Sequence, residues 1–267
     1  MTFDIGVILP TSTPDPAHPI LGDVRAAARL AEQLDLESVW STDHLVASAP
    51  MLDSTVTLAT AAAVTDRIRI GYNVMLLALR PVAWAAKQIS TLQYVSANRL
   101  LLGVGTGNPA HGDIGWRAAG TTFENRGRRT DEALRVLPDL VTGSTATVNG
   151  VDVALAPGSA MPPVLVAGNG TRARRRAAEY AEGWITLQPG LDQLAADFDE
   201  LRALAAEFDR PVPAVTVVAP ALPADHSAAV ESLAAHRDVG VERVILAPVG
   251  PQWQRDYENA AKLRAAL

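Results

Sequence analysis

PVLVAGNGTRARRRAAEYAEGWITL, residues 163–187, contains one complete repeat of the pattern that runs through this 267-residue chain. Residues 163–167 form a short apolar run typical of a buried strand, and a glycine-rich turn follows it. Residues 173–181 are predicted to be a helix, and a second apolar run occupies 184–187. This order predicts two parallel strands joined by a helical crossover.

The same strand–helix unit is repeated on both sides of that stretch. The predicted strands are 3–9, 38–41, 68–74, 99–104, 163–167, 184–187, 215–219 and 243–247. The predicted helices are 23–34, 55–64, 82–95, 123–140, 173–181, 191–208, 228–239 and 254–266. Eight such units in about 250 residues favour a closed (β/α)8 TIM barrel of the α/β class over an open doubly wound sheet. The pattern does not show closure, so the open sheet stays the alternative. We expect one domain over residues 1–267.

The repeat is interrupted once, between residues 142 and 157. Asn149-Gly150 lies there between two short strand-like runs, 145–148 and 151–155. Asn-Gly is the strongest two-residue signal for a tight β-hairpin. We therefore expect a small β-hairpin inserted before the fifth barrel strand.

Composition excludes several classes of protein. The chain is 48% hydrophobic and 19% charged, with a net charge of −6, which is typical of a globular protein with no preference for nucleic acid or an anionic membrane. It has no cysteine, which excludes disulfides and thiolate chemistry. We find no signal peptide, no apolar run of about 18 residues and no histidine spacing typical of a metal site. A cytoplasmic protein without a membrane span or bound metal is expected.

The active site of such a barrel lies at the carboxyl ends of its strands, and the second strand ends in a reactive pair. In SVWSTDHL, residues 38–45, Asp43-His44 follows the predicted strand directly. A histidine exchanges protons near neutral pH, and an adjacent carboxylate tunes it or bonds a ligand. The residues alone leave two interpretations: an active-site pair, or a turn in which Asp43 caps and His44 packs.

Two glycine-rich strand ends are further candidates. Gly105-Thr106-Gly107-Asn108 follows the fourth strand, where small residues let a flat ligand approach the backbone or simply form a tight turn. Gly168-Asn169-Gly170-Thr171 precedes a predicted helix, whose free N–H groups suit an anion. The nearby arginines either add positive charge to this turn or form a solvated helix face; they are Arg172, Arg174, Arg175 and Arg176.

Along nearly its whole length the chain resembles the luciferase-like monooxygenase (bacterial luciferase) superfamily. The matching stretches are FDIGVILP (3–10), SVWSTDHL (38–45), IGYNVMLLALRPVAWAAKQISTL (70–92), NRLLLGVGTGN (98–108), RRTDEALRVL (128–137) and PVLVAGNGTRARRRAAEYAEGWI (163–185). Their order and spacing together carry the resemblance. It implies a (β/α)8 barrel that binds FMN or the deazaflavin coenzyme F420 at its mouth.

The resemblance also implies roles for particular residues. The Trp-x-x-Asp-His motif is most similar to the deazaflavin branch, which implies that His44 acts at the redox-active ring and that Asp43 hydrogen-bonds the ring system. Asn73-Val74 matches a position where family members have a non-prolyl cis peptide behind the ring. Thr106, Gly107 and Asn108 would lie along the cofactor, and its phosphate would meet Gly168, Asn169, Gly170 and Thr171. Arg80 matches a position that we interpret as structural.

The chain departs from the related deazaflavin-dependent glucose-6-phosphate dehydrogenases. Their glutamate proton donor is replaced by Asn108, and the chain has only two lysines, Lys87 and Lys262, both in predicted helices. Glucose 6-phosphate is therefore a poor substrate. The leading hypothesis is an F420-dependent oxidoreductase that transfers a hydride to or from a small organic substrate. The alternatives are an FMN-dependent monooxygenase that uses dioxygen, and a non-catalytic flavin-binding barrel. The resemblance also implies a homodimer.

Overall fold

A computed structural model describes residues 3–12, 22–249 and 251–267, and its centre is a closed barrel of eight parallel strands. Around the barrel their order is β1-β10-β9-β8-β7-β4-β3-β2. Their bounds are β1 Asp4–Ile8, β2 Ser38–Ser41, β3 Arg69–Tyr72, β4 Leu100–Val104, β7 Val164–Ala167, β8 Gly183–Leu187, β9 Ala214–Val218 and β10 Arg243–Leu246. The pairing of β1 with both β10 and β2 closes the sheet, which confirms the TIM barrel and excludes the open alternative.

Helices surround the barrel in the expected alternation. They are α1 Val24–Gln33, α2 Ser54–Ala62, α3 Val82–Val95, α4 Ile114–Ala118, α5 Arg126–Thr142, α6 Thr171–Tyr180, α7 Leu191–Glu207, α8 His226–Asp238 and α9 Trp253–Ala266. The sequence pattern did not predict α4 or the 3-10 turns Leu77–Leu79 and Pro109–His111, because elements this short show no periodicity. α5 begins at Arg126 rather than 123 because Asn125 is left-handed, at φ 55°.

The predicted hairpin is present as a separate two-stranded antiparallel sheet. It consists of β5, Ala146–Val148, and β6, Val151–Val153. Asn149 and Gly150 have φ of 52° and 77°, the positive values that a two-residue hairpin turn of this kind requires. The Asn-Gly signal therefore determined both the position and the register of the insertion.

The barrel interior is filled around one indole ring. Trp40 points inward and is fully buried with Leu101, Leu165, Ile185, Val218 and Ile245. A Cβ on Gly71 would lie 2.3 Å from Trp40 Cε3, and one on Gly6 would lie 2.6 Å from its Nε1. The two glycines, in the strands on either side of β2, therefore make room for the ring.

Charged residues close the amino-terminal end of the barrel. The guanidinium of Arg243 donates to both carboxylate oxygens of Glu37, each at 2.9 Å, and lies 3.9 Å from Asp4. Ion pairs thus occupy this end and Trp40 fills the interior, so in the described part of the barrel we expect a ligand at the carboxyl ends of the strands. Among the helices of the described residues, none is long and apolar enough to cross a membrane.

Candidate active site

Four neighbouring strands carry the predicted site residues. β2, β3, β4 and β7 are consecutive in the barrel, and their carboxyl ends are at the same end of it. His44 follows β2, Asn73-Val74 follows β3, Thr106–Asn108 follows β4, and the turn 168–171 follows β7. The barrel thus collects residues from about 130 positions of sequence on one half of the mouth.

Asp43 is buried and bonded to the protein itself. Its Oδ1 accepts hydrogen bonds from Ser54 Oγ at 3.1 Å and Arg80 Nη2 at 2.8 Å, and its Oδ2 accepts one from the N–H of Leu76 at 2.9 Å. A carboxylate has about four acceptor positions, so one is left. Asp43 therefore joins the end of β2 to α2 and to the segment after β3. A direct bond to a cofactor ring stays a prediction.

His44 is half-buried beside a second imidazole. Its ring centroid lies 4.4 Å from that of His111, with the two ring planes at 59°. Burial, followed by the neighbouring His111, lowers the pKa of His44 below 6.5, against the opposing attraction of Asp43. The lowered pKa favours the neutral imidazole, which is the state that accepts a proton.

The segment after β3 forms a ridge against the end of β4. The Asn73–Val74 peptide bond is cis, as the resemblance implies. Asn73 N–H donates to the carbonyl of Ser41 at 2.8 Å, and Gly105 N–H donates to that of Met75 at 3.1 Å. A Cβ on Gly105 would lie 2.3 Å from Val74 Cγ2, so glycine is needed for this close approach.

The loop after β4 exposes a short polar stretch. Thr106 and Gly107 are half-buried and Asn108 is exposed. Gly107 has φ of 85°, and a Cβ there would lie 3.0 Å from Trp116. Asn108 Oδ1 accepts from the N–H of Ala110 at 3.0 Å and so caps the following 3-10 turn. The contact of these residues with a cofactor stays a prediction.

The turn after β7 is held firmly and opens on a helix start. Gly168 has φ of 138°, and its carbonyl accepts from Trp184 Nε1 at 2.8 Å. The Asn169 amide bonds both the N–H and the carbonyl of Leu187, each at 2.8 Å. Gly170 is the N-cap of α6 and has no side chain to bond the first turn, and residues 169–172 are exposed. The Ala173 N–H donates to the Gly170 carbonyl at 2.8 Å, which leaves the N–H groups of Thr171 and Arg172 for an anion.

The arginines of α6 are not a solvated face, which corrects that interpretation for at least two of them. Arg174 is buried and contacts Asp197 at 2.9 Å and Glu200 at 2.6 Å. Arg176, also largely buried, pairs with Asp131. Because acids from α7 and α5 neutralise them, these two add little positive charge to the turn. Arg174 also donates to the carbonyl of Asn169 at 2.7 Å, so it supports the turn mechanically.

This donor set fits a flat cofactor that carries a phosphate. The exposed start of α6 supplies backbone N–H groups and the positive end of a helix dipole for the phosphate. Ile8, Val74 and Ala167 lie partly exposed above the interior cluster and offer an apolar floor for a ring. Among the described residues no group of three or more His, Asp or Glu side chains is arranged to hold a metal ion.

A groove of about 640 Å³ borders the other half of the mouth, between α8 and α9. Alanine and proline are its most frequent lining residues, and Gln188, Pro220 and Pro248 lie at the ends of β8, β9 and β10. No predicted site residue lines it. The groove is therefore separate from the half of the mouth that His44 occupies.

His111 is the site residue that the sequence reasoning missed. It lies seven positions after the fourth strand, in a loop predicted to face the mouth. Its side-chain chemistry was the available signal, since an imidazole in a mouth loop is a candidate wherever it falls. The 3-10 turn that directs it to His44 has no sequence pattern of its own.

Comparison with known proteins agrees with the fold. Residues 3–265 match the family described as luciferase-like monooxygenase. Since the match spans almost the entire chain, the protein belongs to this family of oxidoreductases and monooxygenases. The family membership supports an enzyme that uses a cofactor of the flavin or deazaflavin class.

The curated relatives include an uncharacterised protein and an F420-dependent enzyme. An uncharacterised protein of Mycobacterium tuberculosis is 35% identical over 167 residues, 60% of this chain and 54% of its own. The F420-dependent glucose-6-phosphate dehydrogenase of Intrasporangium calvum is 32% identical over 183 residues, 62% of this chain and 54% of its own. The chain thus spans about half the length of the curated relatives it matches.

Among solved structures, the fold is similar to an FMN-bound protein. The oxygenating constituent of 3,6-diketocamphane monooxygenase from Pseudomonas putida, solved with FMN, superposes with a TM-score of 0.81 at 16% identity. The superposition covers 100% of this chain and 99% of that one. At this identity the likeness shows the fold alone.

Proposed function

We propose that the protein is a coenzyme F420-dependent oxidoreductase acting on a small organic molecule. The observation that carries the proposal is the joint placement of a half-buried histidine, His44, and the exposed start of a helix, Thr171, at the carboxyl ends of four neighbouring strands. The first suits proton transfer and the second suits a phosphate. A deazaflavin supplies or accepts a hydride when it is bound.

The chain's own residues have three tasks in this proposal. The turn 168–171 binds the phosphate through backbone N–H groups, and Val74 supports the ring from behind. His44 accepts the proton that leaves the substrate when a hydride is removed, or returns it in the reverse direction. Asp43, bonded to Arg80 and Leu76, holds the strand end that carries His44.

A sugar phosphate is disfavoured as the substrate. Asn108, in place of a glutamate, cannot donate a carboxylic proton, and its Oδ1 already caps the turn that follows. Lys87 donates to the carbonyl of Ala156 beside the hairpin, and Lys262 lies exposed on α9. Neither lysine lies at the mouth, so we propose a substrate without a phosphate group.

Direct titration tests the cofactor assignment. The purified protein is titrated with F420 and with FMN, and binding is followed by quenching of cofactor fluorescence. We expect the tighter binding for F420. Binding of FMN without F420 would replace the proposal with the FMN-dependent monooxygenase, and tight binding without turnover on any alcohol or aldehyde panel would favour a binding protein.

A backbone substitution tests the phosphate site. Thr171 is the first helical residue of α6, where proline is tolerated but removes an N–H. We expect Thr171→Pro to weaken binding of the phosphate-bearing cofactor while thermal stability stays unchanged. His226→Pro at the first position of α8 is the matched control and leaves binding intact. Riboflavin lacks the phosphate of FMN, so its affinity for Thr171→Pro should equal its affinity for the unmodified protein.

The homodimer implied by the resemblance is also proposed. Val56 on α2 and Trp84 and Val95 on α3 are large apolar side chains that are more than half exposed, and α2 packs beside α3. Such a patch favours a second copy of the chain. Light scattering after size exclusion measures the mass directly; a monomer, or a dimer that survives Trp84→Lys unchanged, contradicts this interface.

A further inference from the structure

The loop after β4 places a second histidine against His44. Its 3-10 turn, Pro109–His111, is held by the cap from Asn108 and by a hydrogen bond from His111 N–H to the Asn108 carbonyl at 3.2 Å. Ser48 Oγ lies 3.1 Å from His111 Nδ1 and restrains the ring. The ring centroids of His111 and His44 are then 4.4 Å apart.

The two rings line the same small cleft. Both line it together with Leu76, Asn108 and Trp116, whose side chains carry no charge. The two half-buried rings are in contact, and a charge on one opposes a charge on the other.

The charged groups around the pair are already engaged. Asp43 adjoins His44, but its carboxylate bonds Ser54, Leu76 and Arg80. On α4 and its cap, Arg117 pairs with Asp113 at 3.4 Å. Among the described residues, the other imidazole is thus the titratable group in closest contact with the His44 ring.

We propose that His111 is a positioning residue of this site: its ring covers His44 and opposes a second positive charge beside it, so that His44 enters the reaction as a neutral imidazole. The inference rests on the proposed function, in which His44 accepts a proton from the substrate. It also assigns a role to the loop after β4, where Asn108 replaces the glutamate proton donor of the related dehydrogenases.

NMR of the cofactor-free protein tests this inference. The His44 imidazole resonance, assigned by its loss in His44→Gln, is followed between pH 5 and pH 8 in the unmodified protein and in His111→Phe. Phenylalanine keeps a ring over His44 but carries no proton. We expect the His44 titration midpoint to move to higher pH in His111→Phe.

The outcomes are distinct from those of the proposed function. A midpoint that is unchanged or lower in His111→Phe overturns the role of His111, whatever cofactor binds. If His111→Phe does not fold, His111→Gln is judged by the same criterion. Failure to bind F420 or FMN would instead overturn the proposed function and leave the titration result standing.

Discussion

Arg80 Nη2 lies 2.8 Å from Asp43 Oδ1, and this contact fastens the strand end that carries His44 to the start of α3. Asp43 is 3% exposed and the Arg80 side chain 19% exposed, so the pair is nearly dry. Ser54 Oγ and the Leu76 N–H donate the other two hydrogen bonds to the carboxylate. Asp43 therefore has a structural role: it anchors the strand end that carries His44.

Removing the charge of Asp43 should destabilise the protein. Asp43→Asn leaves Arg80 without its counter-ion, and breaking a buried pair in this way costs about 3 kcal/mol. Urea unfolding measures the change, with Asp199→Asn in an exposed pair on α7 as the control, expected within about 0.5 kcal/mol. In Asp43→Asn/Arg80→Met the loss should be smaller than the sum of the two single losses. Equal stability of Asp43→Asn and the unmodified protein would refute the anchor.

Arg174 should matter more than its neighbour on α6. Arg174→Met leaves Asp197 and Glu200 without their buried cation, and we expect a loss of about 3–5 kcal/mol in the free energy of unfolding. Cofactor affinity should fall as well, since the Asn169 carbonyl loses its donor. Arg175→Met removes an exposed pair with Glu207 and is the matched control, with a loss below about 1 kcal/mol. Equal losses in the two variants would contradict this view.

The two glycines of the turn after β7 should respond differently to alanine. Gly168→Ala imposes a side chain at φ 138° and brings its Cβ to 2.9 Å from that of Ala173, which costs about 1–3 kcal/mol. Gly170 has φ of −98° and nothing within 4 Å of an added Cβ, so Gly170→Ala should cost only about 0.5 kcal/mol. Thermal unfolding of both variants provides the comparison. If Gly168→Ala were as stable as the unmodified protein, the turn would not be constrained at Gly168.

His44 should make the protein less stable at acid pH. Its pKa is lowered by burial and by His111, so the unfolded chain binds this proton more readily than the folded one. Stability is then full above about pH 6.5 and falls as the pH drops through the folded pKa. Urea unfolding at pH 7.5 and pH 5 should therefore show a smaller loss for His44→Gln than for the unmodified protein.

The control for this pH effect is His226→Gln, because His226 is exposed on α8. It should lose as much stability on acidification as the unmodified protein. A His44→Gln variant that loses as much as that control, or more, would show that His44 is not the group responsible.

Much of the architecture could be predicted from the sequence because barrel strands carry a local signal. All eight strands and the hairpin were found within a few residues, since short apolar runs alternate with helical ones and Asn149-Gly150 marks a turn. The site segments were also predictable, because parallel strands bring their carboxyl ends to one end of the sheet. Only the strand order, however, shows that β2, β3, β4 and β7 are neighbours.

The remaining site features depend on contacts that have no local pattern. The partners of Asp43 come from α2, the segment after β3 and the start of α3, and those of Arg174 come from α7. His111 reaches His44 across 67 positions of sequence through a 3-10 turn too short to show periodicity. A sequence pattern reports a residue's chemistry and its local backbone, and is silent on which distant side chain meets it.

The sequence by itself determined the repeated strand–helix units, the hairpin and the segments that follow each strand, because hydrophobic periodicity and glycine turns act over a few residues. The tertiary structure decided what each polar side chain does there. It bonded Asp43 to Arg80, neutralised Arg174 and Arg176 with acids of other helices, and set His111 against His44. Burial and charge pairing depend on distances between strands and helices that only the closed barrel establishes.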